Sequence, residues 1–175
     1  MKNITITVIV AATILVTGCG KKSPSSSATP PPAQADPASS SPAAQPALTA
    51  WQQGDKAAAV SSFLVADWSA RPLFAADSPL SLSESQFKAL SDAEREAKSK
   101  DMMAQIASLK QLAQAVVQAG HDAASKGDAA QARKYLTSLK QCGTALESPD
   151  CMQLVQLVGK AFEKMSDTEL AKIGQ

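Results

Sequence analysis

Aromatic side chains make up only 4% of the 175 residues, and histidine occurs once, as His121. A single histidine excludes any site built on two imidazoles. It also leaves a Ser-His-Asp arrangement without a supporting motif, because no Gly-x-Ser-x-Gly elbow is present. The Cys-x-x-Cys spacing of thiol oxidoreductases is missing, as are the Cys-x-x-Cys-His of haem attachment and the Gly-rich loop that cradles phosphate. No catalytic residue, metal site or cofactor is therefore expected. Excess basic charge is lacking too, with 17 Lys and Arg against 16 Asp and Glu. Nucleic acid, which calls for a basic patch or stripe, is not an expected partner. His121 stands beside Asp122 towards the end of a long helical pattern, where a cation suits the helix dipole, and reads as a structural residue.

The amino terminus has its own character. Met1-Lys2-Asn3 carries one positive charge, and Ile4 to Val16 is an uncharged run of thirteen residues. That run is shorter than the roughly 20 residues needed to span a bilayer as a helix, so it reads as a secretory signal. The segment Leu15-Val16-Thr17-Gly18-Cys19 then resembles the lipobox of bacterial lipoproteins, with small residues before the cut and an obligatory cysteine. The resemblance implies a signal peptide over 1–18, a diacylglycerol on the thiol of Cys19 and a further acyl chain such as palmitate on the new amino terminus. Several acyl chains, each contributing about 0.8 kcal/mol per buried methylene, would make attachment to a membrane stable. Gly20 stands where an aspartate would mark inner-membrane retention, so by resemblance to Gram-negative lipoproteins the outer membrane, facing the periplasm, is expected. The competing reading is an ordinary signal or a membrane-anchoring helix with a chance cysteine. Cleavage would remove Lys2 and no acid, one fewer than the 17 basic groups, and leave the mature chain close to neutral.

Residues 19–45 form the expected tether. From Lys21 to Pro46 the chain is dominated by Ser, Pro and Ala, with Pro30-Pro31-Pro32 in the middle. Such a segment cannot bury enough apolar surface to offset the entropy of ordering it. It is expected to be disordered, serving either as reach towards a partner or simply as a spacer between lipid and domain.

From residue 46 to 175 the composition favours an all-α domain, rich in Ala, Leu, Gln and Lys. Pro46 to Trp51 leads into Gly54-Asp55, followed by Ala59, Phe63 and Ala66 at helical spacing. The arrangement returns 73 positions on, as Gly127-Asp128 followed by Ala132, Leu136 and Leu139. Glycine can end one helix in a left-handed conformation while aspartate caps the next, and small alanines let the two approach. These stretches resemble tetratricopeptide-repeat hairpins on the strength of Gly54, Asp55, Ala59, Phe63, Gly127, Asp128, Ala132 and Leu136. A spacing of 73 rather than about 34 residues departs from a regular array, so irregular hairpins are expected instead of a superhelix. Ser83 with Gln86 and Ser91 with Glu94 read as capping boxes, and the stripe Met102, Ile106, Leu109, Ala113, Val116 and Gly120 marks the longest helix. Met103, Leu112 and Val117 are expected to widen its apolar face. Between hairpins, Leu73 and Phe74 should pack inward from an irregular loop. A last helix is expected from Ser148-Pro149 through Met165, with Ser166-Asp167-Thr168-Glu169 capping a short terminal one.

Few side chains remain as candidates for a site. Cys142 and Cys151 form an even pair in a compartment expected to be oxidising. A disulfide between them would close a loop of about ten residues and stabilise the fold by roughly 2.5 to 3 kcal/mol. Two free thiols are the alternative. Trp51 and Trp68 flank the first hairpin and are the candidate partner-binding anchors, with packing into the hairpin core as the competing reading. Together these features point to a non-catalytic interaction or assembly lipoprotein with an envelope protein as partner. A purely structural envelope component and a small envelope enzyme are the alternatives.

Overall fold

The computed structural model describes residues 41–173. The signal over 1–18, Cys19 and the tether up to residue 40 lie outside the described residues. Within them the chain is all-helical, with no strand. Helix α1 (Gln45–Gln52) and α2 (Lys56–Val65) form a first hairpin. After a loop with a 3-10 turn at Pro79–Ser81 come the short α3 (Glu84–Ala89), the 34-residue α4 (Asp92–Ser125), α5 (Ala129–Leu146) and α6 (Gln153–Ile173).

Both Gly-Asp turns fold alike. Gly54 and Gly127 have φ of 81° and 82°, a left-handed conformation that side-chain-bearing residues rarely adopt. At each, the N–H of the following aspartate reaches back five residues, Asp55 to the Ala50 carbonyl and Asp128 to the Ala123 carbonyl. This closes the outgoing helix in the Schellman manner. The same aspartates then accept from the third residue of the next helix, Asp55 from Ala58 N–H and Asp128 from Gln131 N–H, both at 2.9 Å. Capping boxes at Ser83/Gln86 and Ser91/Glu94 open α3 and α4.

The core lies where the three longest helices meet the first hairpin. The α4 stripe Met102, Ile106, Leu109, Leu112, Ala113, Val116 and Gly120 is buried, as are Ala59 and Phe63 of α2 and Ala132, Leu136 and Leu139 of α5. Leu73 and Phe74 turn inward from the loop after α2, and the backbone N–H groups of Ala43 and Ala44 bond to the Pro72 and Leu73 carbonyls. Met103 does not widen the α4 face: it is 56% exposed. None of the first ten residues of α4, Asp92 to Asp101, joins the core, and only Arg95 and Lys98 are partly covered.

The carboxy-terminal part departs from the expected pattern in two places. Residues Ser148 to Cys151 make a turn, closed by Cys151 N–H to Ser148 O, and α6 starts only at Gln153. The side-chain amide of Gln156 holds that turn by donating to the carbonyls of Ser148 and Cys151. Nor does Ser166 cap a new helix. It is fully buried inside a continuous α6 and donates to the Leu136 carbonyl of α5 at 2.5 Å. No glycine or proline interrupts the chain between Lys160 and Ile173, so nothing stops α6 there.

Helices α5 and α6 cross very closely at Gly143 and Gly159. A methyl placed on Gly159 would stand 2.6 Å from the Gly143 carbonyl oxygen, and one on Gly143 would stand 2.8 Å from the Gly159 carbonyl. Only glycine lets the two backbones meet this way.

Candidate functional site

Trp68 organises the loop after α2. Its indole N–H donates to Ser138 Oγ on α5 at 3.1 Å and lies 3.3 Å from the Phe63 carbonyl, which also accepts from Ser138 Oγ at 3.0 Å. Phe63 lies in the last turn of α2, where carbonyls lack helical partners, so the indole and hydroxyl satisfy an otherwise stranded acceptor. The ring packs on Phe63 with centroids 4.6 Å apart and is only 5% exposed. Trp68 is thus a core residue: the reading as core packing holds for it, and its candidacy as a partner-binding anchor is corrected. Its burial follows from Ser138, a polar residue on the inward face of α5 that gives the indole a partner without water. Trp51 is half-buried against the same core, with the Lys56 ammonium 5.8 Å above its ring.

Beside Trp68 the loop and α5 leave an open cleft of about 630 Å³, lined by Ala66, Asp67, Ser69, Arg71 and, from α5, Thr137, Lys140, Gln141, Thr144 and Ala145. A second cleft of about 380 Å³ shares Thr137 and Gln141 with it and adds Leu64, Arg133 and Lys134. The α5 side chains on this wall, Arg133, Lys134, Thr137, Lys140, Gln141 and Thr144, recur at helical spacing and are exposed. Arg71 is anchored by its guanidinium to the carbonyls of Trp68, Ala70 and Ala145, and Lys140 pairs with Asp167 of α6 at 2.8 Å. The one carboxylate on the wall, Asp67, is occupied by the Ser69 hydroxyl and backbone N–H, which hold it below its ordinary carboxylate range. The surface is therefore polar and cationic at its rim and apolar in part at its floor.

Cys142 and Cys151 are free thiols and are not brought together, contrary to the expected disulfide. The register of the α5–α6 pair explains why. Leu136 meets Ser166, Lys140 meets Asp167, Thr144 meets Glu163 and Gly143 meets Gly159. The neighbours of Cys142 on α6 consequently fall around Gly159 to Glu163, about two turns beyond the start of α6. Cys151 lies before that start, half-buried among Arg71, Leu80 and Ser148. Burial pushes the Cys142 thiol far up from its usual range, and burial also raises Cys151, with Arg71 opposing.

His121 is exposed on α4 and bonds through Nε2 to Glu169 of α6 at 2.8 Å. Lys172 completes the contact, and the two together hold the Glu169 carboxyl below its ordinary value, Lys172 contributing most. The group ties α4 to α6. No cluster of three or more metal-ligating side chains occurs among the described residues. Sequence reasoning missed Ser138 and the α5 wall. Leu136 and Leu139 mark the inward face of α5 in the sequence, but neither the burial of Ser138 between them nor the openness of the face bearing Lys134, Thr137 and Gln141 is marked there. Known families offer no guide: no family model, no curated protein and no solved structure matches this chain.

Proposed function

We propose that this chain is a lipid-anchored envelope lipoprotein whose helical domain captures a protein segment without performing chemistry. The observation that carries this reading is the continuous pair of clefts along the α5 wall, built on a rigid floor at Trp68 and rimmed by Arg71, Arg133, Lys134 and Lys140. Such a rim suits an extended segment bearing acidic groups, whose charges steer association and fix its register while the apolar floor supplies contact area. The His121–Glu169–Lys172 group lines neither cleft and ties α4 to α6. Anchorage through Cys19 would keep the domain at the membrane surface, with the Ser/Pro/Ala-rich tether setting its reach.

A photo-crosslinking side chain placed at Gln141 in intact cells tests both halves of the reading. The expected result is a discrete adduct with one envelope protein that is absent when the probe sits at Met103, and that weakens at least about tenfold when Arg133 and Lys134 are changed to Glu. In the Cys19→Ala variant, labelling by radioactive palmitate should disappear. No adduct at Gln141, or an equal one at Met103, overturns the docking surface. Persistent labelling of Cys19→Ala overturns the anchor.

A further inference from the structure

Two carboxylates flank the glycine crossing of α5 and α6. A methyl on Gly159 would stand 3.0 Å from Glu147 Cγ, and one on Gly143 would stand 2.8 Å from Glu163 Cγ, so both stems pack around the same point from opposite helices. Glu147 Oε1 is buried and meets no hydrogen-bond donor. Glu163 accepts from the Thr144 hydroxyl one turn before Glu147. Two ionised carboxylates offer only acceptors to each other, whereas a carboxyl that keeps its proton can donate to its neighbour.

We propose that the Glu147 carboxyl, packed beside Glu163 at the glycine crossing, keeps its proton in the folded protein, making the α5–α6 crossing a proton-dependent clasp that is tight in acid and loosens as the proton leaves to water. The surroundings favour the protonated form of Glu147. Loss of hydration pushes the Glu147 carboxyl up from its ordinary value, with the Glu163 charge and the bond to it acting in the same direction. Glu147 also caps the carboxy-terminal end of α5, where the helix dipole disfavours a negative charge. Of the charged groups around the pair, Lys160 on α6 acts the other way, favouring the ionised form. Lys140 on α5 lies in the field of Glu163 but is bonded to Asp167. From the loop after α2, Arg71 is directed at the Ala145 carbonyl, and in the α5–α6 turn Asp150 is bonded to Ser148.

The sign follows from linkage. A carboxyl whose value is raised by folding contributes stability that is complete below its unfolded value and is lost as pH rises through the folded one. Asp67, Glu94 and Glu169 are shifted downward and contribute with the opposite sign, but they are common to wild type and variant and cancel in a difference.

The test is thermal unfolding of the full chain, wild type against Glu147→Gln, from about pH 4 to about pH 8. Gln is nearly isosteric and keeps a donor for Glu163. The expected result is that the two melt together in acid and that the variant gains several degrees over wild type as pH rises. A gap that stays constant, or that grows in the wild type's favour, overturns the clasp. A carboxyl-carbon NMR titration in the wild type should place the Glu147 midpoint above the ordinary glutamate range and return it towards that range in Glu163→Gln. A midpoint at or below the ordinary range also overturns the proposal. Neither readout involves a docking partner or the lipid.

Discussion

Individual side chains here are read better by what they bond than by type. Trp68 and Ser166 both carry groups that sequence patterns assign to surfaces, an interface anchor and a helix cap, yet each spends its polar hydrogen on a carbonyl or hydroxyl of a neighbouring helix inside the core. A polar atom that finds such a partner can be buried at little net cost, and nothing local in the sequence reveals whether it does. The cysteines show the complementary case. Their pairing looked favourable from spacing, but the register of α5 against α6 is set by glycines and hydroxyls further along both helices. With both thiols free and their thiolates disfavoured by burial, they should react reluctantly. A thiol-reactive dye at neutral pH should label Cys151 more slowly than a small free thiol and accelerate as pH rises, because the thiolate is the nucleophile. Cys142 should be labelled only after unfolding. Complete absence of labelling in denaturant without reductant would instead reveal a bridge.

At the scale of elements, the two Gly-Asp turns and the starts of α3 and α4 were legible, while the start of α6 and the helix crossings were not. Gly54-Asp55, Gly127-Asp128, Ser83/Gln86 and Ser91/Glu94 act through bonds spanning three to five residues, so a short window of sequence contains all the chemistry. The α4 stripe was legible for the same reason, since one helical period suffices to expose it. The approach of Gly143 to Gly159 joins positions on different helices, and neither glycine announces its partner. Its consequence can be measured against a third glycine. A methyl on Gly120 would make ordinary contact at 3.5 Å with Leu136, whereas those on Gly143 and Gly159 meet backbone below 3 Å. Gly120→Ala should therefore be neutral or stabilising by up to about 1 kcal/mol through helix propensity. Gly143→Ala and Gly159→Ala should each cost about 1 to 3 kcal/mol as the helices are forced apart. Urea unfolding midpoints of the three variants check the ordering, and equal effects would mean that the crossing relaxes freely.

For the whole molecule, the all-α class and the hairpin character were legible because composition and period act everywhere along the chain, whereas the α5 wall depended on which helix face the fold left open. Exposure of Arg133, Lys134, Thr137 and Gln141 is decided by what does not pack on them, and a sequence carries no direct mark of that. The same logic applies to the first ten residues of α4, which extend past the core without joining it. They are held by the Ser91/Glu94 capping box, the Asp92–Arg95 ion pair and the bond from the Arg95 guanidinium to the Lys88 carbonyl, all local and exposed. Local helical contacts of this kind are worth a few tenths of a kcal/mol each, far less than the core contributes beyond Met102. The helix therefore has two lifetimes in one continuous element. Amide hydrogens from Arg95 to Asp101 should exchange with deuterium through local fraying, orders of magnitude faster than those from Ile106 to Val116, which should wait for the domain to unfold globally. Uniform protection along α4 would mean that its outer turns are covered in solution. If fraying holds, the long helix keeps time with the solvent at one end and with the whole fold at the other.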